Sequence, residues 1–331
     1  MKGYKGFHKG MICRGKQYTE NTIFEEPEAN ICESGMHFCE NPLDVLDDYG
    51  FVSKNGELNE FAEVETLDEV ETNDDRKFCT KKLKIGAKLS LVGFVKACVE
   101  FVTEKTTVTQ TVSKISSKKI YSKVSSMEID STVASTGYAS KVSSMGVDST
   151  VVSTGIHSKV SSMGIGSTVA STGDESTIVS TGYDSKVAST GDKSTIVSTG
   201  YESTAASTGD KSTVISTGDT STVVSAGDTS TVVSTGDKSA VVSTRDKSTV
   251  ISTGACATVV SEGDDCIICC VGAGSCVKAK RGNWITLTEW KYDEQSVSDI
   301  PVLKTEYVDG ERIKEDVFYV LKDGKFQEVE T

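Results

Sequence analysis

What these 331 residues lack narrows the field first. No stretch approaches the roughly 18 consecutive apolar residues of a membrane-spanning helix, so no membrane role is expected. The opening Met1-Lys-Gly-Tyr-Lys-Gly-Phe7 has no apolar core of a secretory signal, which predicts a cytoplasmic protein. Nothing matches a phosphate loop or a hydrolytic triad, and so neither a nucleotide-hydrolysing nor an acyl-transfer enzyme is read. Basic charge is in deficit. A net charge of −13 argues against direct nucleic-acid binding. The acidity is spread out: 12 basic against 16 acidic residues over 122–283, and 6 against 12 from Trp284 onward. Ten cysteines without a secretory signal suit a reducing compartment and free thiols.

What is present is one phrase, repeated. Ser131-Thr-Val-Ala-Ser-Thr-Gly-Tyr-Ala139, Ser140-Lys-Val-Ser-Ser-Met-Gly-Val-Asp148 and their successors run in phase from Ser122 to Asn283. The consensus is S-[TK]-V-x-S-[TM]-G-x-x, and a fixed short period of this kind predicts a solenoid. An 18-residue period lies over the 9-residue one, because Ser-Lys-Val-Ser-Ser-Met recurs at 122, 140 and 158. Alternate blocks therefore share an environment. The fold class expected is mainly β, a solenoid of two strands and 18 residues per coil. Nine coils follow, or ten if Ser113-Lys-Ile-Ser-Ser117 joins, at roughly 4.8 Å each.

Strand alternation puts slots 1, 3 and 5 of each block on one face and slots 2, 4 and 6 on the other. Slot 3 is Val or Ile almost throughout, while slot 2 accepts Lys123, Lys141, Lys159 and Lys186. A lysine inside a narrow coil would cost too much, so slots 1, 3 and 5 are predicted to point inward. Buried serine hydroxyls would then bond one another or the backbone. Gly in slot 7 is expected to supply the positive φ of a turn. Glu128, Arg245 and, in the last block, Arg281 in that slot, and Ala205 in slot 3, are expected weak points.

The remaining chain divides into a small α+β domain over 1–103, an irregular lead-in over 104–121, the repeat over 122–283 and a β-meander cap over 284–331. Asn41-Pro42 reads as a helix start. Leu89-Ser-Leu-Val92 reads as a strand piece, with a short apolar helix over Ser90 to Val102 as the alternative. Asp309-Gly310 and Asp323-Gly324 are hairpin signals.

The motifs Met1-Lys-Gly-Tyr-Lys-Gly-Phe7, Cys13-Arg-Gly15, Glu33-Ser-Gly-Met-His-Phe-Cys-Glu-Asn-Pro-Leu-Asp-Val45, the nonapeptide array, Leu287-Thr-Glu-Trp-Lys-Tyr-Asp-Glu294 and Thr305-Glu-Tyr-Val-Asp-Gly-Glu-Arg-Ile313 resemble a family of phage and prophage proteins with no assigned activity. The resemblance runs over the whole chain. It implies a solenoid, a phage origin and a location in the cytoplasm of a bacterial host. It implies no catalytic residue and no cofactor.

Four candidate sites stand out. An outward stripe combines Thr177, Thr195, Thr213, Thr231 and Thr249 with Val179, Val197, Ile215, Val233 and Ile251, and with Thr181, Thr199, Thr217, Thr235 and Thr253. A flat, half-apolar face of this kind can dock a protein, and resembles the Thr arrays of ice-binding solenoids; Thr and Val also simply suit strands. An acidic edge runs through Asp174, Asp192, Asp210, Asp228, Asp246 and Asp264. It could mimic a row of phosphates or hold cations, or be plain turn chemistry. The single Gly of this turn disfavours the calcium-binding nonapeptide, and Lys193, Lys211 and Lys247 dilute the charge.

Cysteines 256, 266, 269, 270 and 276 raise the question of a metal. Cys266 and Cys270 fall in serine slots, however, and the C-x-x-C pair has no partner pair, so no metal site is expected. Finally, Arg14, Ser34 to Phe38 with His37 between, and Glu63-Val-Glu65 loosely match the order of ADP-ribosyltransferase motifs. The reading reached is a non-enzymatic phage accessory protein with no cofactor, whose solenoid binds a host or defence protein. The alternatives are an acidic DNA mimic, an ADP-ribosyltransferase-like enzyme in the first domain, and a virion fibre component.

Overall fold

A computed structural model describes residues 1–31, 33–51, 53, 57–72, 76–107, 114–293 and 298–330. Of the lead-in over 104–121, residues 108–113 lie outside the described residues, Ser113 among them. The chain forms two compact units, Met1–Phe101 and Val102–Thr331.

The first unit is a seven-stranded antiparallel sheet. Across it the order is Ile23–Glu25, Lys82–Leu89, Glu60–Thr66, Lys2–Phe7, Met36–Cys39, Lys77–Thr80 and Val70–Thr72. Phe7, Met36, Phe38, Leu83 and Ile85 form its core. Asn41 caps the short helical turn as its position before proline predicts, its side-chain oxygen accepting the Leu43 N–H at 3.1 Å. The helix reading of the apolar stretch after Leu89 holds. The helix Leu91–Thr107 starts on Ser90, whose hydroxyl accepts the Gly93 N–H at 3.1 Å. Phe94 of that helix stacks on Phe61 with ring centres 3.9 Å apart.

The second unit is a β-solenoid of about 10 turns with about 18 residues per turn. One sheet (sheet I) runs from Lys114–Ser117 through Thr132–Ser135 to Cys276–Ala279, the other (sheet II) from Lys123–Ser126 to Ile267–Cys270 and Trp284–Asp293. Up to Thr258–Ser261 every strand pairs in parallel with the one 18 residues on, Val133 against Val151 and Val142 against Val160, and the spacing shortens to 17 only where Ile267 meets Trp284. Slot 3 faces inward as lysine in slot 2 requires. Val133, Val151, Ile178, Ile196 and Val232 are fully buried, while Lys123, Lys141 and Lys159 are exposed. Ala205 sits in the same inward column between Val187 and Val223. Since its neighbours already hold valine there, Ala205→Val should fit and raise stability by about 1 kcal/mol, read as a higher melting temperature.

The serine columns divide by slot. In slot 1, the Ser194 hydroxyl donates to the Gly173 carbonyl at 3.3 Å, and the Ser176 N–H donates to the Ser194 hydroxyl at 3.4 Å. In slot 5, the hydroxyls of Ser180, Ser198, Ser216, Ser234 and Ser252 are buried without a hydrogen-bond partner. Among the described residues, the expectation that buried hydroxyls would be bonded thus holds for slot 1 apart from Ser158, and in slot 5 only for Ser126, Ser135 and Ser144. Slot 5 needs a small side chain rather than a polar one, and Cys270 and Ala279 serve there.

The reading of slot 7 is corrected. Positive φ belongs to slot 9, at Ala139, Asp148, His157, Glu175, Lys193, Glu202 and Lys211, with φ between 53° and 58° for Ala139, His157, Glu175, Lys193, Glu202 and Lys211. The slot 7 glycines answer a different constraint. A Cβ on Gly200 would run into the Gly182 carbonyl of the coil before, 2.7 Å from its carbon. The glycine column exists because backbones stack face to face at this corner.

The C-terminal β cap consists of two hairpins, one continuing each sheet. Trp284–Asp293 adds in parallel to Ile267–Cys270 and pairs antiparallel with Ser298–Tyr307. Phe318–Lys322 and Lys325–Val329 continue sheet I, turning at Asp323-Gly324 with φ of 53° and 68°. Asp309-Gly310 makes no hairpin, because the Asp309 carboxylate instead accepts the N–H groups of Glu311, Arg312 and Ile313. Asn283 makes the join to the cap. Its side chain accepts the Cys266 N–H at 2.7 Å and donates to the Gly263 carbonyl at 2.8 Å, doing the two jobs of a slot 1 serine.

Candidate binding surfaces

The predicted stripe lies wholly on sheet II. In-register pairing puts Thr177 beside Thr195 and Thr213, and Val179 beside Val197 and Ile215; Thr231 and Val233, then Thr249 and Ile251, continue the rows. The slot 2 threonines and slot 4 aliphatics are half-buried, and Thr181, Thr199, Thr217, Thr235 and Thr253 are exposed. The backbone between them is already bonded, with Thr199 N–H on the Ser180 carbonyl at 2.9 Å. What this face presents is therefore methyl groups and hydroxyls, not free backbone. The two sheets differ, a feature the repeat consensus hides. On the outer side of sheet I, Ala170, Ala188, Ala206, Val224, Val242 and Val260 are all buried, and so is Lys186.

The stripe also extends further than the threonines suggest. In the three coils before it, slot 6 of sheet II holds Met127, Met145 and Met163, exposed by 72%, 45% and 53%. At the adjoining turn, slot 8 holds Ile129, Val147 and Ile165, then Tyr183 and Tyr201, all exposed. The two tyrosine rings stack with centres 5.6 Å apart. At the other end, Ile267 and Trp284 continue the slot 2 row, and Trp284 packs on Tyr307 at 5.1 Å. The recurring Ser-Lys-Val-Ser-Ser-Met phrase carried this signal in its last residue.

The acidic edge is a hydrogen-bonded ladder. Asp174 accepts the N–H of Asp192 at 2.9 Å, Asp192 that of Asp210, Asp210 that of Asp228, and Asp246 that of Asp264. One oxygen of each of these acceptor carboxylates is spent on joining coils. A second, unpredicted ladder follows the same rule on the opposite edge, where Asp219 accepts from Asp237 and Asp237 from Ala255. Lys193 bonds Glu175 at 3.3 Å beside the first ladder.

Among the described residues, no group of three His, Cys, Asp or Glu side chains is placed to hold a metal ion. Cys266 and Cys270 are buried in slots 1 and 5, Cys276 is buried, Cys269 is half-buried, and Cys256 is exposed at a turn with φ of 55°. Burial pushes the Cys270 thiol up to about 12, so it is an inert core group. No described helix is long and apolar enough to cross a membrane.

In the first unit, Arg14, Ser34 and His37 line one cavity of about 460 Å³. Glu63 and Glu65 line a different one of about 420 Å³, where Glu65 faces Lys84 at 4.0 Å. The Arg, Ser and Glu-x-Glu residues are thus not gathered at one site. The first cavity also takes in Lys5 and Cys13, which fall in the Met1–Phe7 and Cys13–Gly15 motifs, and Tyr18 and Tyr49, which no sequence signal marked. The Lys5 ammonium donates to the His37 carbonyl at 2.8 Å, and the Tyr49 hydroxyl donates to Cys13 Sγ at 3.1 Å. Burial, with Arg14, Lys5 and Lys77 nearby, holds His37 down to about 4, so its ring is neutral at physiological pH.

Residues 1–97 match the family model described as Domain of unknown function (DUF7666), a segment that contains every residue of the 460 Å³ cavity. Comparison with curated proteins and with solved structures gave no match.

Proposed function

We propose that this is a non-enzymatic phage or prophage accessory protein that binds a protein of its bacterial host through the outer face of sheet II. One observation carries the reading. On the outer face of sheet II the slot 4 row Val179, Val197, Ile215, Val233 and Ile251 runs unbroken between two threonine rows, with Met127, Met145 and Met163 ahead of it in slot 6 and Ile267 and Trp284 beyond it in slot 2. Monomeric proteins rarely leave so long an apolar row open, and the rigid, in-register ladder loses little entropy on docking. The partner that fits is itself a flat, apolar protein surface with polar groups that can meet the threonine hydroxyls. The separation of Glu63 and Glu65 from Arg14 favours binding over ADP-ribosyl transfer.

The competing partner, a DNA-binding protein drawn to the acidic edge, gives opposite results in one experiment. The binding partner is isolated from host cells with the full-length protein as bait, and its affinity is measured across salt concentrations. Val197→Lys with Val233→Lys should weaken it by about tenfold or more, because desolvated charge then sits at the contact centre. Asp192→Asn, Asp210→Asn and Asp228→Asn together should leave it nearly unchanged, and salt should matter little. Loss of binding in the folded Asp triple variant, with the Lys double variant still competent, would defeat the proposal.

A further inference from the structure

The 460 Å³ cavity of the first unit holds two cations that lack a carboxylate partner. Lys16 is paired with Glu26, and Lys77 with Asp48. Among the described residues, neither Lys5 nor Arg14 forms such a pair. Lys5 is 5% exposed, its ammonium resting 5.6 Å from the Phe7 and Tyr18 ring centres and bonded to the His37 carbonyl. Burying an ammonium without a counter-charge is costly, and natural proteins rarely do so except where a ligand completes the site. Arg14 stands in the left-handed region at φ 49°, at the turn joining Ile12–Cys13 to Lys16–Gln17, and its side chain is exposed at the same cavity. Burial is the main cause that lowers the Lys5 pKa, and the charge of Arg14 adds to it. The lining sets Lys5, Arg14, Lys16 and Lys77 against Glu26, Glu33 and Asp48, so one positive charge remains in excess, with the exposed Glu33 at the rim.

We propose that this cavity binds a phosphomonoester, with its phosphate between Arg14 and the Lys5 ammonium and its organic part against Tyr18 and Tyr49. A phosphate monoester presents three strong acceptor oxygens, enough to take the Arg14 fork and the Lys5 ammonium together, where a carboxylate has two. The cavity lies within the several-hundred-Å³ range of small-molecule sites, so it has room for more than a bare anion. Its aromatic lining gives that remainder an apolar surface. Arg14 offers a fork of donors to phosphate oxygens, and an arriving dianion restores the charge that burial takes from Lys5.

The test is calorimetric titration of the full-length protein with AMP, ribose 5-phosphate, inorganic phosphate and adenosine. The expected result is saturable one-to-one binding of at least one ester, weaker binding of inorganic phosphate, and none of adenosine. Arg14→Gln, an exposed change that leaves the fold intact, should weaken ester binding by about tenfold or more. Glu63→Gln, at the other cavity, should not. Binding of no phosphate compound overturns the proposal, as does ester binding unchanged in Arg14→Gln or adenosine binding as tight as AMP. Inorganic phosphate binding as tightly as both esters overturns the assigned organic half.

Discussion

Val232→Asp is expected to destabilise the solenoid by more than about 4 kcal/mol, while Val233→Asp, one residue on, should cost under about 1 kcal/mol. The two positions differ only in which side of the strand they occupy. Val232 is fully buried in register with Val214 and Val250, and its surroundings are the aliphatic column that runs the length of the coil. A carboxylate there would lose its water and gain no donor, since the backbone donors of the neighbouring strands are already used in the ladder. Val233 lies on the open outer face, where an aspartate keeps its hydration. Each coil touches only its neighbours, so the damage should be local before it is global. Amide exchange should show it first in Thr213–Ser216, Thr231–Ser234 and Thr249–Ser252. Equal destabilisation by the two variants would mean the strand faces have been assigned wrongly.

That parity was readable without coordinates because one residue type forbids the alternative. Lys123, Lys141 and Lys159 cannot all be packed inside a two-stranded coil, and a period of two then assigns every other slot. Short-range chemistry was equally legible: Asn41 before proline caps a helical turn, and Asp323-Gly324 turns a hairpin. What escaped was non-local. The burial of Val224 and Val242 on the outside of sheet I is invisible in a consensus that treats both sheets alike. Met127, Met145 and Met163 were visible as a recurrence but only stacking makes them one row. The 460 Å³ cavity assembles Lys5, Arg14, Tyr18, His37, Tyr49 and Lys77 from separate segments, and no spacing rule links them. The Asp309-Gly310 pair shows the limit of short signals, because three nearby N–H groups compete for its carboxylate and win.

The second large effect concerns the glycine column, where the expected signs run against a turn-based explanation. Gly200→Ala should cost about 3 kcal/mol, whereas Glu202→Gly should be neutral or slightly stabilising. If slot 7 glycines existed to supply positive φ, the residue in the left-handed region would be Gly200. It is Glu202, at φ 54°. An L-residue there bears a strain of roughly 1 kcal/mol that glycine relieves, offset by glycine's greater loss of chain entropy. At Gly200 the difficulty is contact. Its absent Cβ leaves room for the Gly182 carbonyl, which is itself held by the Ser203 hydroxyl at 3.2 Å and so cannot swing away. A methyl group would part the two coils at this corner and disturb the ladders on both sides of it. Glu128 and Arg245 both carry a side chain in this slot, and nothing in the structure explains how Arg245 is tolerated. By the same reasoning Arg245→Gly should raise stability. Urea denaturation of the three variants measures all three signs, and Gly200→Ala as stable as the parent chain would remove close backbone stacking as the reason for the column.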